Sequence, residues 1–296
     1  MIWSQLALLT AFCQSGQDLL ARRLLRRGHL SVRLLMGSGT LVAGLLALPA
    51  ALLGGPRPEA AALLPALGAT ALVNGLAFWA YGRALRCGEL SLVVPLTNLS
   101  PLVLLGTGWL LLGERPGPLA LAGVLLLVAG ALWLGRTDDD PRGLWGAPGA
   151  AWMLLVALLW GIGAGIDKIG VRAAGTADWV AGLNLSVALP LLLPALAVGE
   201  GSALAPVMDH PGASRRGAVL LLLLAFGVLG SVGMALQMEA VQRTAVVHVI
   251  AIKRLSTLLS AAAGGLWFGE ARPWLRLPAV ALMLAGAALV LLSADG

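Results

Sequence analysis

Two adjacent cations, Lys253-Arg254, interrupt a stretch that is otherwise built for lipid. They follow Val246–Ile252, apolar but for His248, and precede Leu255, Leu258 and Leu259. A charge inside a bilayer costs on the order of 2.5–3.5 kcal/mol on insertion scales, so the pair needs a function or a partner. Arginine cannot escape by losing its proton. At helical spacing Lys253, Ser256, Thr257, Ser260 and Gly264 fall on one face as a small, polar stripe. Lysine offers a point charge and arginine a planar fork, and together they suit a phosphate or carboxylate. The same pair also fits two structural roles: snorkelling to an interface, or ion pairing with Asp18, Asp167 or Glu239 on other helices.

Other polar residues recur at helical spacing within apolar segments. Thr10, Gln14, Gln17 and Asp18 share one face. So do Asn74, Phe78 and Tyr81, and likewise Trp160, Gly163, Ala164 and Asp167. Amides on a spanning helix either bond a neighbouring helix or line a cavity. Gln14, Asn74, Tyr81 and Trp160 therefore join Lys253, Arg254, Thr257 and Ser260 as candidate substrate contacts. Asp18, Asp167, Glu239 and His248 are candidates for proton coupling. For His248 a hydrogen-bonded structural role is the favoured reading, and for Asp167-Lys168, next to the helix end, an interfacial position is favoured. Glu114 and Glu270, each after a glycine, read as gate or end-cap residues at the water interface. Pro95 and Pro101, and Pro190 and Pro194, should bend or break the segments that hold them. Metalloprotease, serine-hydrolase and P-loop motifs are absent, which points away from an enzyme. Asp138-Asp139-Asp140 has no accompanying histidine and reads as a solvated linker. No cofactor or metal is expected.

These residues need elements to carry them, and composition restricts the choice. Of 296 residues, 59% are hydrophobic and 11% charged. A soluble domain carries about a quarter charged residues. The net charge of +6 is spread between apolar runs, so it does not indicate nucleic acid. A spanning helix needs about 20 apolar residues. Such segments recur at roughly 2–20, 34–53, 60–85, 90–112, 118–134, 148–168, 179–198, 217–240, 246–268 and 277–293. The expected fold is an all-α integral membrane protein of ten transmembrane helices. Its halves, 1–136 and 148–296, flank a linker at 137–147.

The halves repeat. A shift of 156 residues lays Leu99-Ser100 on Leu255-Ser256, Gly113-Glu114 on Gly269-Glu270 and Gly130-Ala131 on Gly286-Ala287. It also lays Thr97-Asn98 on Lys253-Arg254, making Thr97 and Asn98 neutral counterparts of the cations and further candidate contacts. Gly16-Gln17-Asp18 matches Gly165-Ile166-Asp167 at a different offset. Five spans per half would insert the second half upside down relative to the first. That inverted architecture is common among secondary transporters.

With its two halves, each ending in Gly-Glu, a nearby proline and a glycine-containing last helix, the whole chain resembles the EamA-type branch of the drug/metabolite transporter superfamily. The resemblance implies a multi-pass carrier of small metabolites in the plasma membrane (the bacterial inner membrane), working by alternating access. Lys253-Arg254 also resembles the cationic pair with which plastid sugar-phosphate translocators of the same superfamily grip phosphate. An anionic or phosphorylated substrate is therefore expected. A flippase for a phosphate-bearing isoprenoid lipid would use the same pair, and an exporter of neutral or zwitterionic metabolites such as amino acids is the remaining alternative. Ten helices enclose a full pathway, so a monomer or homodimer in the bilayer is expected.

Overall fold

A computed structural model describes residues 2–26, 30–54, 60–88, 93–134, 146–198, 213–268 and 277–293. Within these, all regular structure is helical. The helices are α1 (Ile2–Arg26), α2 (Val32–Leu53), α3 (Ala60–Cys87), a 3-10 segment (Val94–Leu99) leading into α4 (Ser100–Leu112), and α5 (Pro118–Leu134). They continue with α6 (Ala150–Ala174), α7 (Thr176–Ala197), α8 (Ala213–Val241), α9 (Val246–Lys253), α10 (Ser256–Phe268) and α11 (Leu277–Ser293). Glu270 and most of the expected linker lie outside the described residues.

Six segments are long and apolar enough to cross a membrane: Val32–Leu53, Leu63–Cys87, Val94–Leu112, Ala150–Ala174, Thr176–Ala197 and Gly217–Val241. The others fall short for identifiable reasons. α1 carries Gln14, Gln17, Asp18, Arg22 and Arg23. α5 and α11 have 17 residues each, about 26 Å at 1.5 Å per residue. The ninth expected span is divided into α9 and α10. The protein is a multi-pass membrane protein, and bare leucines such as Leu53, Leu72 and Leu110 give it an apolar exterior.

Helices pack in definite pairs: α2 on α7, α5 on α11, α3 on α6 and α1 on α8. Glycine allows close approach of α5 and α11. A Cβ on Gly123 of α5 would meet the Gly286 carbonyl of α11 at 2.7 Å, and the reverse contact is 2.6 Å. Two successive levels fix direction. Trp79 meets Trp152 and Thr70 meets Asp167, so α3 and α6 are antiparallel. Tyr81 meets Asp18 and Leu85 meets Arg22, so α3 and α1 run the same way.

Two interruptions lie at equivalent places in the chain. The 3-10 segment follows from Pro95 and Pro101, which lack the amide hydrogen that a continuous helix needs. The ninth span breaks at Arg254-Leu255, contrary to the expectation of one helix over 246–268. Neither proline nor glycine stands there. The backbone tightens instead, with the amides of Leu255, Thr257 and Leu258 bonding the carbonyls three residues earlier at 3.0 Å. Pro190 and Pro194 do not break α7, which is helical from Thr176 to Ala197. A spanning helix survives proline where its surroundings satisfy the freed backbone groups.

Candidate functional site

The two interruptions meet at the centre of the bundle. Arg254 is 3% exposed and follows the last residue of α9. Its Nε and Nη2 both donate to Ser100 Oγ, at 3.0 and 2.6 Å, where the 3-10 segment passes into α4. Its guanidinium carbon lies 5.4 Å from the centre of the Trp160 ring on α6. Arg254 thus ties the break in one half to the break in the other. A guanidinium over an indole face is favourable by about 0.5–2 kcal/mol, more so away from water.

Lys253 points into a cavity and is less enclosed than Arg254. Its Nζ donates to Gln237 Oε1 of α8 at 2.6 Å. None of the described carboxylates lies within ion-pair distance of Lys253 or Arg254. The alternative of an ion pair with Asp18, Asp167 or Glu239 is not formed, because each of those carboxylates is held elsewhere. A single bond to a neutral amide leaves two ammonium hydrogens free to meet a ligand.

Seven helices wall the cavity, which has about 810 Å³ of space between side chains, the part open to solvent included. α1 contributes Thr10, Gln14 and Gln17, α3 contributes Asn74 and Phe78, and α6 contributes Trp160, Ala164 and Asp167. Asn184 comes from α7, and Phe226, Met234 and Gln237 from α8. α2 presents Gly39, Thr40 and Ala43. The lining mixes two cations, one carboxylate, several amides and three aromatic rings.

Among the expected contacts, Lys253, Arg254, Gln14, Asn74 and Trp160 line this cavity, as does the proton candidate Asp167. Asp167 is 5% exposed and accepts from Thr70 Oγ1 at 2.9 Å, so it is enclosed between α6 and α3. Lys168 is also buried, and Glu114 compensates it at 2.6 Å. Glu114 Oε2 further accepts from the Val246 amide, capping the start of α9 from the other half of the chain.

The remaining candidates lie outside this cavity. Asp18 is 1% exposed and accepts from Gln14, Tyr81 and Ser260, three donors on three helices. With Tyr81 and Thr97 it lines a smaller space that shares Gln14, Trp160 and Arg254 with the main one. Thr97 bonds the Val94 carbonyl, and Asn98 donates to Thr257 at 2.7 Å. Thr257 and Ser260 therefore join helices and do not border the main cavity. Glu239 bonds Arg243 and Thr176, away from the centre. His248 lies 3.0 Å from Thr244 Oγ1 and against Trp3, a structural setting.

Gln237, Thr40 and Phe226 were not singled out from the sequence. Gln237 is an amide in a strongly apolar span, the same signal that marked Gln14. Asn184 carried that signal too, but weakly, as one polar residue in its helix.

Residues 1–136 and 147–292 both match the EamA-like transporter family, one copy in each half. The chain belongs to the EamA-like transporter family. No curated protein matches it. Among 28 solved chains that resemble it, one crystal structure aligns with a TM-score of 0.69 at 21% identity. That alignment covers 98% of this chain and 97% of the other, a likeness of fold over the full length. Membrane transport is thus the family's activity, and this chain is a membrane transporter.

Proposed function

We propose that the protein is a secondary transporter that carries a small anionic metabolite, phosphorylated or carboxylated, across the plasma membrane. Two five-span halves, 1–136 and 148–296, rock about the central cavity with 137–147 as the connection between them. The halves are inverted. α1 and α6 open their respective halves, and they run in opposite directions because α1 parallels α3 and α3 opposes α6. The helix pairings support the same symmetry. Exchanging the halves turns α3 on α6 into α8 on α1, and both pairs exist, while α2 on α7 and α5 on α11 map onto themselves. A binding site between inverted repeats, next to interrupted helices, fits alternating access.

The observation that carries the substrate class is Lys253. It is a cation in a central cavity, held among the described residues by a neutral amide and with none of their carboxylates at ion-pair distance. The free energy of desolvating that charge is recovered when an anion arrives. Arg254, committed to Ser100 and Trp160, adds positive potential behind it. Asp167 in the same cavity favours a second reading, a zwitterion whose ammonium faces Asp167 while its carboxylate faces Lys253.

The test is uptake by purified protein in liposomes of a labelled panel: inorganic phosphate, a hexose phosphate, a dicarboxylate, a neutral amino acid and a neutral sugar. Uptake of an anion above protein-free liposomes is the expected result. Uptake restricted to the amino acid, lost in Asp167→Asn, would establish the zwitterion in place of the anion. Uptake of the sugar alone, or of nothing, overturns both.

A further inference from the structure

Two buried cations that play no part in the cavity make matching contacts at opposite ends of the bundle. Lys168, 2% exposed near the end of α6, donates to the Thr244 carbonyl beyond the end of α8 and to Glu114, each at 2.6 Å. Arg22, 4% exposed near the end of α1, donates through Nη1 to the carbonyls of Leu85 and Gly88 at the end of α3. α1 and α6 are the first helices of their halves, and α3 and α8 the third. The repeat shift of 156 that superposes the later helices lays Gly88 on Thr244. Each half thus sets a cation of its first helix against the carbonyls that follow its third, from positions about one turn apart in the repeat, since the match of Asp18 with Asp167 lays Arg22 on Val171. Free carbonyls at helix C-termini carry partial negative charge and favour a cation.

Their separation follows from α3. Asp167, next to Lys168, is level with Thr70, whereas Arg22 is level with Leu85. Fifteen helical residues are about 22 Å, most of the thickness of a bilayer core of about 30 Å. The geometry points to a pair of gate locks, with Lys168 closing the pathway near one face and Arg22 closing it near the other. This rests on the alternating-access reading above, because a pathway open to one side at a time needs a closure at each end.

The Lys168 lock also reaches the site. Glu114, its partner, accepts the Val246 amide at 3.0 Å. Val246 is the first residue of α9, an eight-residue helix that ends at Lys253. It is bounded by the loop from α8 on one side and the break at Arg254-Leu255 on the other. Release of Glu114 from Lys168 lets Glu114 move together with the start of α9 that it caps, a short rod whose far end carries Lys253. Glu114 and Lys168 are positioning residues in this sense and do not themselves contact substrate. Lys168 joins the halves through Glu114, a contact between α6 and the segment after α4, so the ion pair must break if the halves separate at that face.

The test needs no substrate. Thr40→Cys, a cavity position whose hydroxyl bonds only its own helix, serves as reporter after Cys13→Ala and Cys87→Ser. Sealed vesicles of both orientations are labelled with a membrane-impermeant charged maleimide. Lys168→Met should raise the labelling rate from the Lys168 face by about tenfold and lower it from the other. Arg22→Met should do the reverse. Glu114→Gln keeps an acceptor for Val246 but removes the ion pair, and should act as Lys168→Met does if that variant fails to fold. Unchanged rates, or Lys168 and Arg22 variants that move in the same direction, overturn the locks. Opposed shifts in a protein that takes up no member of the panel would sink the proposed substrate reading and leave the locks standing.

Discussion

Gln237→Glu isolates the electrostatics of the cavity because it changes charge and little else. The Gln237 amide oxygen accepts from Lys253 Nζ at 2.6 Å, and the side chain is 5% exposed. Glutamate has the same length and offers an oxygen in the same place, so the local geometry is kept. What changes is one negative charge fixed against the ammonium. An anion bound at about 4 Å from Lys253 gains about 4 kcal/mol at an effective dielectric constant of about 20. A carboxylate about 6 Å from that anion returns about 3 kcal/mol in repulsion under the same conditions. Partial screening reduces this, and the expected loss is about 10- to 100-fold in affinity for an anionic substrate. The assay is initial-rate uptake into liposomes across a range of substrate concentrations. KM should rise by that factor, with a smaller change in the maximal rate. Gln237→Leu, which leaves Lys253 unpaired, should not raise KM. A Gln237→Glu protein that takes up the anion with wild-type KM would refute the assignment of Lys253 as the cation that meets substrate.

Arg254→Lys should separate the two cations. It loses the paired donation to Ser100 and the guanidinium face over Trp160, at a cost of about 1–3 kcal/mol, and melting in detergent should fall accordingly. Its KM for the anion should change less than in the Gln237→Glu protein, because the charge is retained. Gly286→Leu should strike the fold rather than the site. Its Cβ would lie 2.6 Å from the Gly123 carbonyl and 2.7 Å from the Leu127 amide, backbone atoms that cannot swing aside. A loss of about 2 kcal/mol or more is expected, read as low yield of monodisperse protein on gel filtration.

Helix existence was legible because apolar runs of spanning length are hard to mistake, and so were the two halves, because Gly113-Glu114 and Gly269-Glu270 end equivalent segments. Gln14, Asn74, Trp160 and Lys253 were legible as cavity residues because a polar or amphipathic group in an apolar span must turn away from lipid. Thr257 and Ser260 misled for a geometric reason. On an ideal helix they share a face with Lys253, but the turns at Arg254-Leu255 advance about 120° per residue instead of about 100°. The stripe is rotated out of register, and both hydroxyls face helices of the first half. The break itself left no trace in residue type. The pairing of Lys168 with Glu114 was not legible because it spans 54 residues and both halves, a tertiary fact that local pattern does not contain. The proline effect divided likewise: Pro95 sits in a 3-10 segment, while Pro190 and Pro194 are absorbed by α7.

The central claim is that a lone ammonium in the cavity binds the transported anion. It is tested most directly by exchange of the labelled anion in liposomes, comparing wild type, Lys253→Ala and Lys253→Arg at matched amounts of folded protein. Removing a unit charge worth about 4 kcal/mol should slow exchange by at least about 100-fold in Lys253→Ala, with partial recovery in Lys253→Arg. Exchange by Lys253→Ala at the wild-type rate would contradict it.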